Sequence, residues 1–178
     1  MANQTVENKA VWIGGADHDW LGPLWVAVSQ DGLVAVRMRS SEEDIRAHLA
    51  SASLTNVQRD PDRTAPILLQ LVEYLEGQRQ QFDLAIDWSV LSPFQAQALR
   101  AVFAIPFGQT RTYQQIADEL GSPGAARAVG RANATNPMPL IIPCHRVLGT
   151  DGGLHGYGGP GGVDTKARLL RLEGSRLL

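Results

Sequence analysis

The chain has 178 residues and a mass of 19.3 kDa, with 44% hydrophobic and 19% charged residues. That composition excludes a disordered chain and suits one or two small folded domains. No apolar run reaches the ~18–20 residues that a membrane helix needs. The opening MANQTVENKA carries no signal-peptide core, so the cytoplasm is the expected compartment. A lone cysteine, Cys144, excludes an internal disulfide and a cysteine-based zinc cluster. The net charge of −2 hides a split: residues 1–89 hold 7 Lys/Arg against 13 Asp/Glu, and residues 90–178 hold 9 against 5. The balances of −6 and +4 place a basic, partner-facing part in the second half.

Taken in chain order, Ala10–Ile13, Leu24–Ser29 and Leu33–Met38 read as short strands. Gln30-Asp31-Gly32 reads as the hairpin turn between the last two. Ser40-Ser41-Glu42-Glu43 opens a helix with a serine cap and first-turn acids, and Ile45 and Leu49 supply its apolar face. Asp60-Pro61-Asp62 reads as a turn. Ile67, Leu68, Leu71, Val72 and Leu75 follow at helical spacing, and Gly77 stops that helix. Phe82–Ile86 alternates like a strand. Trp12, Trp20, Trp25 and Trp88 read as core of this first part. Asp87 to Pro93 is the expected boundary between an α/β domain at 1–90, with a short antiparallel sheet, and a helical domain at 91–178. The fold class is α+β.

Beyond residue 93 an apolar stripe of Phe94, Ala98, Leu99, Val102 and Phe103 predicts a helix. Thr112-Tyr113-Gln114-Gln115 has the capping-box pattern and starts a short helix that Gly121-Ser122-Pro123 ends. Ala125 to Asn133 is a second helix with Arg127 and Arg131 on its surface. Two short helices joined by a Gly/Pro turn form a helix-turn-helix candidate, the second being the recognition helix. Asp164 is expected to cap a last helix through Arg168, Leu169, Leu170 and Leu172. In the Gly-rich stretch between them, Gly156-x-Gly158-x-x-Gly161 matches a dinucleotide fingerprint. No strand precedes it in a βαβ unit and no acidic residue follows at the right distance. A flexible loop over a site is the better reading, with His155 as a solvated member of it.

Cys144 stands out chemically. Pro137, Pro139 and Pro143 stiffen the approach to it, so the thiol is presented on a constrained turn. His145 and Arg146 follow at once, and such neighbours favour the nucleophilic thiolate. A Cys–His pair wants a third group to orient the imidazole, and Glu173 is the best carboxylate for it. Asp151 and Asp164 read as turn and cap residues.

Pro143-Cys144-His145-Arg146-Val147 resembles the active-site motif of the O6-alkylguanine-DNA alkyltransferases, which are DNA repair proteins. The resemblance runs from about Ser92 to Gly174. It includes Phe94, Ile105-Pro106-Phe107-Gly108, Thr112-Tyr113-Gln114-Gln115-Ile116-Ala117, Ala126-Arg127-Ala128-Val129-Gly130, Asn136-Pro137, Gly156-Tyr157-Gly158-Gly159 and Leu172-Glu173-Gly174. Several spaced motifs in family order are specific, and residues 1–90 match in character, as a ribonuclease H-like domain. The resemblance implies irreversible, stoichiometric transfer of an alkyl group from guanine O6 in double-stranded DNA to Cys144. His145 is then a base acting through water and held by Glu173, and Asn136 braces the active-site turn. Thr112, Tyr113, Gln114, Ala126, Arg127, Ala128, Gly130 and Arg131 are the implied DNA contacts, with Arg127 entering the stack in place of the extruded nucleotide. Val147, Leu148, Tyr157, Gly158 and Gly159 are the implied base pocket.

The chain departs from the family in places. Its N-terminal half has only His18 and His48 and no cysteine, so the zinc site of some relatives is not expected, nor is any cofactor or metal. The extension of regulatory relatives is missing. Gly158 stands where many relatives carry Ser, which removes one pocket hydrogen bond or leaves it to the backbone. Duplex DNA is the expected partner, no membrane is involved, and the protein is expected to be a monomer. Two rival readings are a cysteine hydrolase using Cys144 and His145, and a helix-turn-helix regulator or lesion sensor in which Cys144 only packs.

Overall fold

The computed structural model describes residues 9–154 and 156–175, so His155 lies outside the described residues. The chain falls into two compact units, Met1–Val90 and Leu91–Leu178.

In the first unit β1 (Val11–His18), β2 (Gly22–Ser29) and β3 (Gly32–Met38) form an antiparallel meander. A fourth strand, β4 (Val57–Arg59), adds in parallel to the other edge of β1, giving the order β3-β2-β1-β4. β4 has no counterpart among the expected strands, because three residues with two polar side chains carry no alternation. Helices α1 (Glu42–Ser51) and α2 (Pro61–Leu75) lie on opposite faces of the sheet. Pleating explains the division. Val11 and Ile13 point to one side, where they join Ile45 and Leu49 of α1 in the core. Trp12 and Gly14 point to the other. There a Cβ on Gly14 would lie 1.9 Å from the Thr64 hydroxyl of α2, so only glycine allows this approach.

The capping box of α1 forms as read: Ser41 accepts from Asp44 N–H, and the Asp44 carboxylate accepts from Ser41 N–H. Asp60-Pro61-Asp62 is not a free turn. Asp60 caps α2 by accepting from Arg63 N–H, and Pro61 fills the first helical position, where its missing N–H costs nothing. Phe82–Ile86 is not a strand either. It meets the sheet at one bridge, Leu33 to Ile86, where Leu33 N–H donates to Ala85 and Asp87 N–H to Leu33. The segment crosses the start of β3 rather than running along it. Gly32, at φ +134°, lets the crossing chain approach, since a Cβ there would lie 2.5 Å from the Ala85 carbonyl. The four tryptophans are half-buried rather than core. Trp12 and Trp25 each lie under a guanidinium, Arg63 at 3.9 Å and Arg59 at 5.6 Å from the ring centres.

In the second unit α3 (Pro93–Phe103) buries Ala98, Leu99 and Val102. Phe94 and Phe103, expected on the same stripe, sit in its first and last turns and are 38% and 40% exposed. The helix-turn-helix consists of α4 (Tyr113–Glu119) and α5 (Ala126–Ala134), joined through Gly121 at φ +66° and a 3-10 turn at Pro123–Ala125. The Thr112–Gln115 capping box forms. Helix α6 (Gly162–Leu172) starts from Gly161, at φ +82°. Asp164 therefore stands inside its first turn and does not cap it. Strands β5 (Arg111–Thr112) and β6 (Val147–Leu148) pair in parallel, Thr112 with Leu148. This ladder ties the cap residue of α4 to the chain just after Cys144, so the helix-turn-helix and the thiol are set in one frame. Among the described residues no helix is long and apolar enough to cross a membrane.

Candidate active site

Cys144 opens a 3-10 turn, Cys144–Arg146, and the chain approaches it under constraint. Leu140, buried and not glycine, is held at φ +74°. A left-handed leucine costs about 1–2 kcal/mol, so the surroundings must impose it. Asn136 supplies part of the restraint: its Oδ1 accepts from Met138 N–H at 3.0 Å and its Nδ2 donates to the Ile142 carbonyl at 2.9 Å. Asn133, on the buried face of α5, donates to the Cys144 carbonyl at 3.1 Å. Helix α5 therefore holds the backbone of Cys144 itself.

Cys144 lies on the wall of a cavity of about 440 Å³ with Tyr113, Gly130, Asn133, Ala134, Gly156, Tyr157 and Gly158. That volume is in the range of small-molecule sites, ~300–1,000 Å³. Cys144 is 5% exposed, yet it lines a cavity beside α5 rather than being packed on all sides. A second cavity, of about 520 Å³, shares Tyr113 and Gly130 with the first and is also lined by Gln114, Ala126, Arg127, Gly149, Thr150 and Asp151. Arg127, Ala128 and Arg131 are exposed on α5. Gln114 is tied into the turn of the motif, donating to Asp118 and to the Pro123 carbonyl, both at 2.8 Å. Thr112 is committed to its cap.

Tyr157 and Gly158 of the implied base pocket are on the cavity wall; Val147, Leu148 and Gly159 are not among the described lining residues. Val147 and Leu148 are buried in the β5–β6 ladder, and the Val147 carbonyl accepts from Lys166 Nζ at 2.6 Å, leaving its second lone pair. At Gly158 an added Cβ would lie 2.3 Å from the Ala134 carbonyl. The loop rests its backbone on the end of α5, and a side chain there forces backbone to move.

The electrostatics correct one expectation. Burial pushes the Cys144 thiol up, not down. The groups that oppose burial are the Asn136 amide, the Lys166 charge, the backbone N–H and Tyr157. His145 meets Glu173, the carboxylate expected to orient it, and Arg146, expected to favour the thiolate, turns to the same group. His145 Nε2 lies 2.9 Å from Glu173 Oε1, and Arg146 places Nε and Nη2 on the same carboxylate at 2.8–3.2 Å. All three side chains are buried. Burial holds His145 below the usual imidazole value, against the pull of Glu173. The imidazole is therefore neutral at pH 7 and can take a proton from a thiol that needs a base. Lys166 is fully buried and pushed down to about 8 by that burial.

Sequence reasoning left Asn133 unassigned and overlooked Lys166. The signal for each was a polar residue on an apolar helical face: Asn133 beside Val129 and Ala132, and Lys166 in step with Leu169 and Leu170. No group of three or more His, Cys, Asp or Glu among the described residues could hold a metal ion. His18 ends β1, edge-on to Trp20, and His48 is in α1.

A buried Cys–Asn–His–Glu constellation that opens beside a recognition helix defines a group-accepting site built on a nucleic-acid-binding motif. Comparison with known proteins agrees with that geometry. Residues 93–175 match the DNA-binding domain, and residues 20–88 the ribonuclease-like domain, of 6-O-methylguanine DNA methyltransferase. The chain is 42% identical over 156 residues to a methylated-DNA–protein-cysteine methyltransferase of Mycobacterium bovis, covering 88% of each chain. It is 39% identical over 165 residues to one from Salmonella typhimurium, covering 89% of this chain and 93% of the other. A crystal structure of Mycobacterium tuberculosis OGT in complex with DNA superposes with a TM-score of 0.75 at 38% identity, covering 91% of this chain and 92% of that one. The chain belongs to the 6-O-methylguanine DNA methyltransferase family.

Proposed function

We propose that the protein repairs double-stranded DNA, as a monomer, by moving the alkyl group of O6-alkylguanine irreversibly onto Cys144. DNA binding, base extrusion and transfer all fall to residues 91–178. The observation that carries this reading is the thiol on the wall of a base-sized cavity directly beside the recognition helix α5.

A guanine inside the stack cannot reach that sulfur, so it must be swung out, at a cost of a few kcal/mol. Arg127, exposed on α5 at the second cavity, fills the vacated space, where a planar guanidinium stacks. Ala126, Ala128 and Gly130 keep the helix slim enough to press into the groove. Arg131 and the N-terminal turn of α4, with Tyr113 and Gln114, meet the flanking backbone. Lesions occur in any sequence, so affinity rests on phosphate contacts and falls steeply with salt.

In the cavity the alkyl carbon is placed against Cys144 Sγ. His145 Nδ1 takes the thiol proton through a water, while Glu173 holds the ring. The S–C bond forms as the C–O6 bond breaks, and the released guanine regains its N1 proton, so thiol and alkylguanine become thioether and guanine. Tyr113 and Tyr157 flank the base. The thioether is not hydrolysed, and one protein serves one lesion.

The test is incubation with duplex DNA carrying one O6-methylguanine. The expected result is 14 Da, the mass of CH₂ by elementary stoichiometry, added to the Cys144 peptide, with a plateau at about one equivalent. Continued turnover identifies a hydrolase, and binding without a mass change a regulator or lesion sensor; either outcome overturns the reading.

A further inference from the structure

Resting on the alkyl-transfer reading above, we propose that Arg146 is a positioning residue that sets the tautomer of His145, by keeping Glu173 an ionised, acceptor-only partner. Arg146 is not among the residues lining the cavity, and its side chain is buried. Its Nε lies 2.9 Å from Glu173 Oε2 and 3.2 Å from Oε1, and its Nη2 lies 2.8 Å from Oε1. Its Nη1 donates to the Ile105 carbonyl, and the Gly108 N–H donates to Glu173 Oε2 at 3.3 Å. Each of these partners of the carboxylate is a donor. A guanidinium has no acceptor and does not deprotonate in proteins. A proton on Glu173 would face these donors, so the carboxylate stays charged. The His145 nitrogen on it, Nε2 at 2.9 Å, must then carry the hydrogen. In a neutral imidazole that leaves Nδ1 as the lone-pair nitrogen, the one the transfer needs as base.

The charge of Arg146 has a second effect. Among the described residues the charged groups acting on His145 are Lys166 from α6, Glu173 at the end of that helix and Arg146 from its own turn, with the Cys144 thiol adjacent in the chain. Glu173 favours the imidazolium, whereas Arg146 and Lys166 disfavour it. A His–carboxylate pair without the guanidinium is a proton trap. With it, the ring stays oriented by a full negative charge and still gives up its proton above the acid range.

Two measurements test this. In the wild-type protein, long-range 15N–1H correlation of 15N-labelled histidine, with His145 identified by loss of its signal in His145→Gln, should show the Nε2–H tautomer at pH 7. An Nδ1–H tautomer or an imidazolium overturns the inference. In single-turnover transfer, Arg146→Gln should move the acid limb of the pH–rate profile up by about one unit. That is several-fold slower than wild type at pH 6, approaching ~tenfold at lower pH, and within ~2-fold at pH 8.5. Arg146→Lys, which keeps the charge, should leave the limb in place. A loss uniform across pH, or a shifted limb in the lysine variant, assigns Arg146 to folding alone and overturns the inference. The tautomer is decided in wild-type protein even if Arg146→Gln does not fold. If wild-type Cys144 takes no alkyl group, the transfer reading fails instead, and the spectrum still judges the tautomer.

Discussion

Each unit of the molecule buries one carboxylate in a ring of donors, and the two rings serve different ends. In the first unit Asp87 accepts from Lys9, Ser29 and Ser89 at 2.6 Å each. Lys9 precedes β1, Ser29 ends β2 and Ser89 closes the unit, so the cluster staples three distant stretches of chain. In the second unit Glu173 gathers Arg146, His145 and the Gly108 N–H. One of these partners, the imidazole, has a second nitrogen with work to do. A buried carboxylate whose donors are all fixed is a structural clasp, whereas one with a titratable donor beside a nucleophile is a lever on that donor's protonation.

Removal of the sulfur should break this contrast most completely. Cys144→Ser should fold and bind DNA yet show no mass increase with the lesion duplex. Next in size, Glu173→Gln should slow transfer by about 10²-fold at pH 7, the usual worth of a positioned base. DNA affinity, measured by fluorescence anisotropy, should stay within a few-fold; an unchanged rate would remove the orienting role. Arg127→Ala comes next. It should slow repair of duplex DNA by about 10-fold or more, in line with a few kcal/mol for extrusion. Reaction with free O6-benzylguanine should barely change, and equal losses on both substrates would remove the stacking role.

The clasp should respond differently. Asp87→Asn should destabilise the first unit by about 3 kcal/mol, because Lys9 loses its buried counter-charge, and leave the transfer rate per folded molecule as it was. Chemical denaturation followed by tryptophan fluorescence reads it, all four tryptophans lying in that unit. The two clusters should also separate by pH. Asp87 is held below the usual carboxylate range by its hydrogen bonds from Lys9, Ser29 and Ser89, which outweigh burial. Its contribution is complete above the unfolded value near ~4 and is lost as pH falls through the depressed one. His145 is depressed too, so transfer should stay level around pH 7 and fall only below the ordinary imidazole value of ~6.5.

Much of the architecture was readable because the signals are local. The Thr112–Gln115 box, the Asp-Gly turn before β3 and the glycine that ends α4 each act within a few residues, and each forms. The misreadings share a cause. Phe82–Ile86 has the alternation of a strand but meets the β3 edge at one bridge only, and β4 pairs along β1 without alternation. Strand identity depends on a partner, which a local pattern does not name. Asp60, read as part of a turn, is a cap, and Asp164, read as a cap, lies three residues past Gly161, since a cap is defined by where the chain turns rather than by which residue is polar.

By itself the chain determined which atoms are available: one thiol, an adjacent imidazole, a glutamate near the end, and two short helices with arginines on the second. Covalent order and short-range hydrogen bonding suffice for that. Only the tertiary structure decided what those atoms do to one another. It brought Arg146 onto the carboxylate that orients His145, placed Lys166 and Asn133 behind Cys144, and raised the thiol by burying it. Those outcomes depend on distance and desolvation between groups as far apart as residues 105 and 173, and both quantities exist only once the chain is packed.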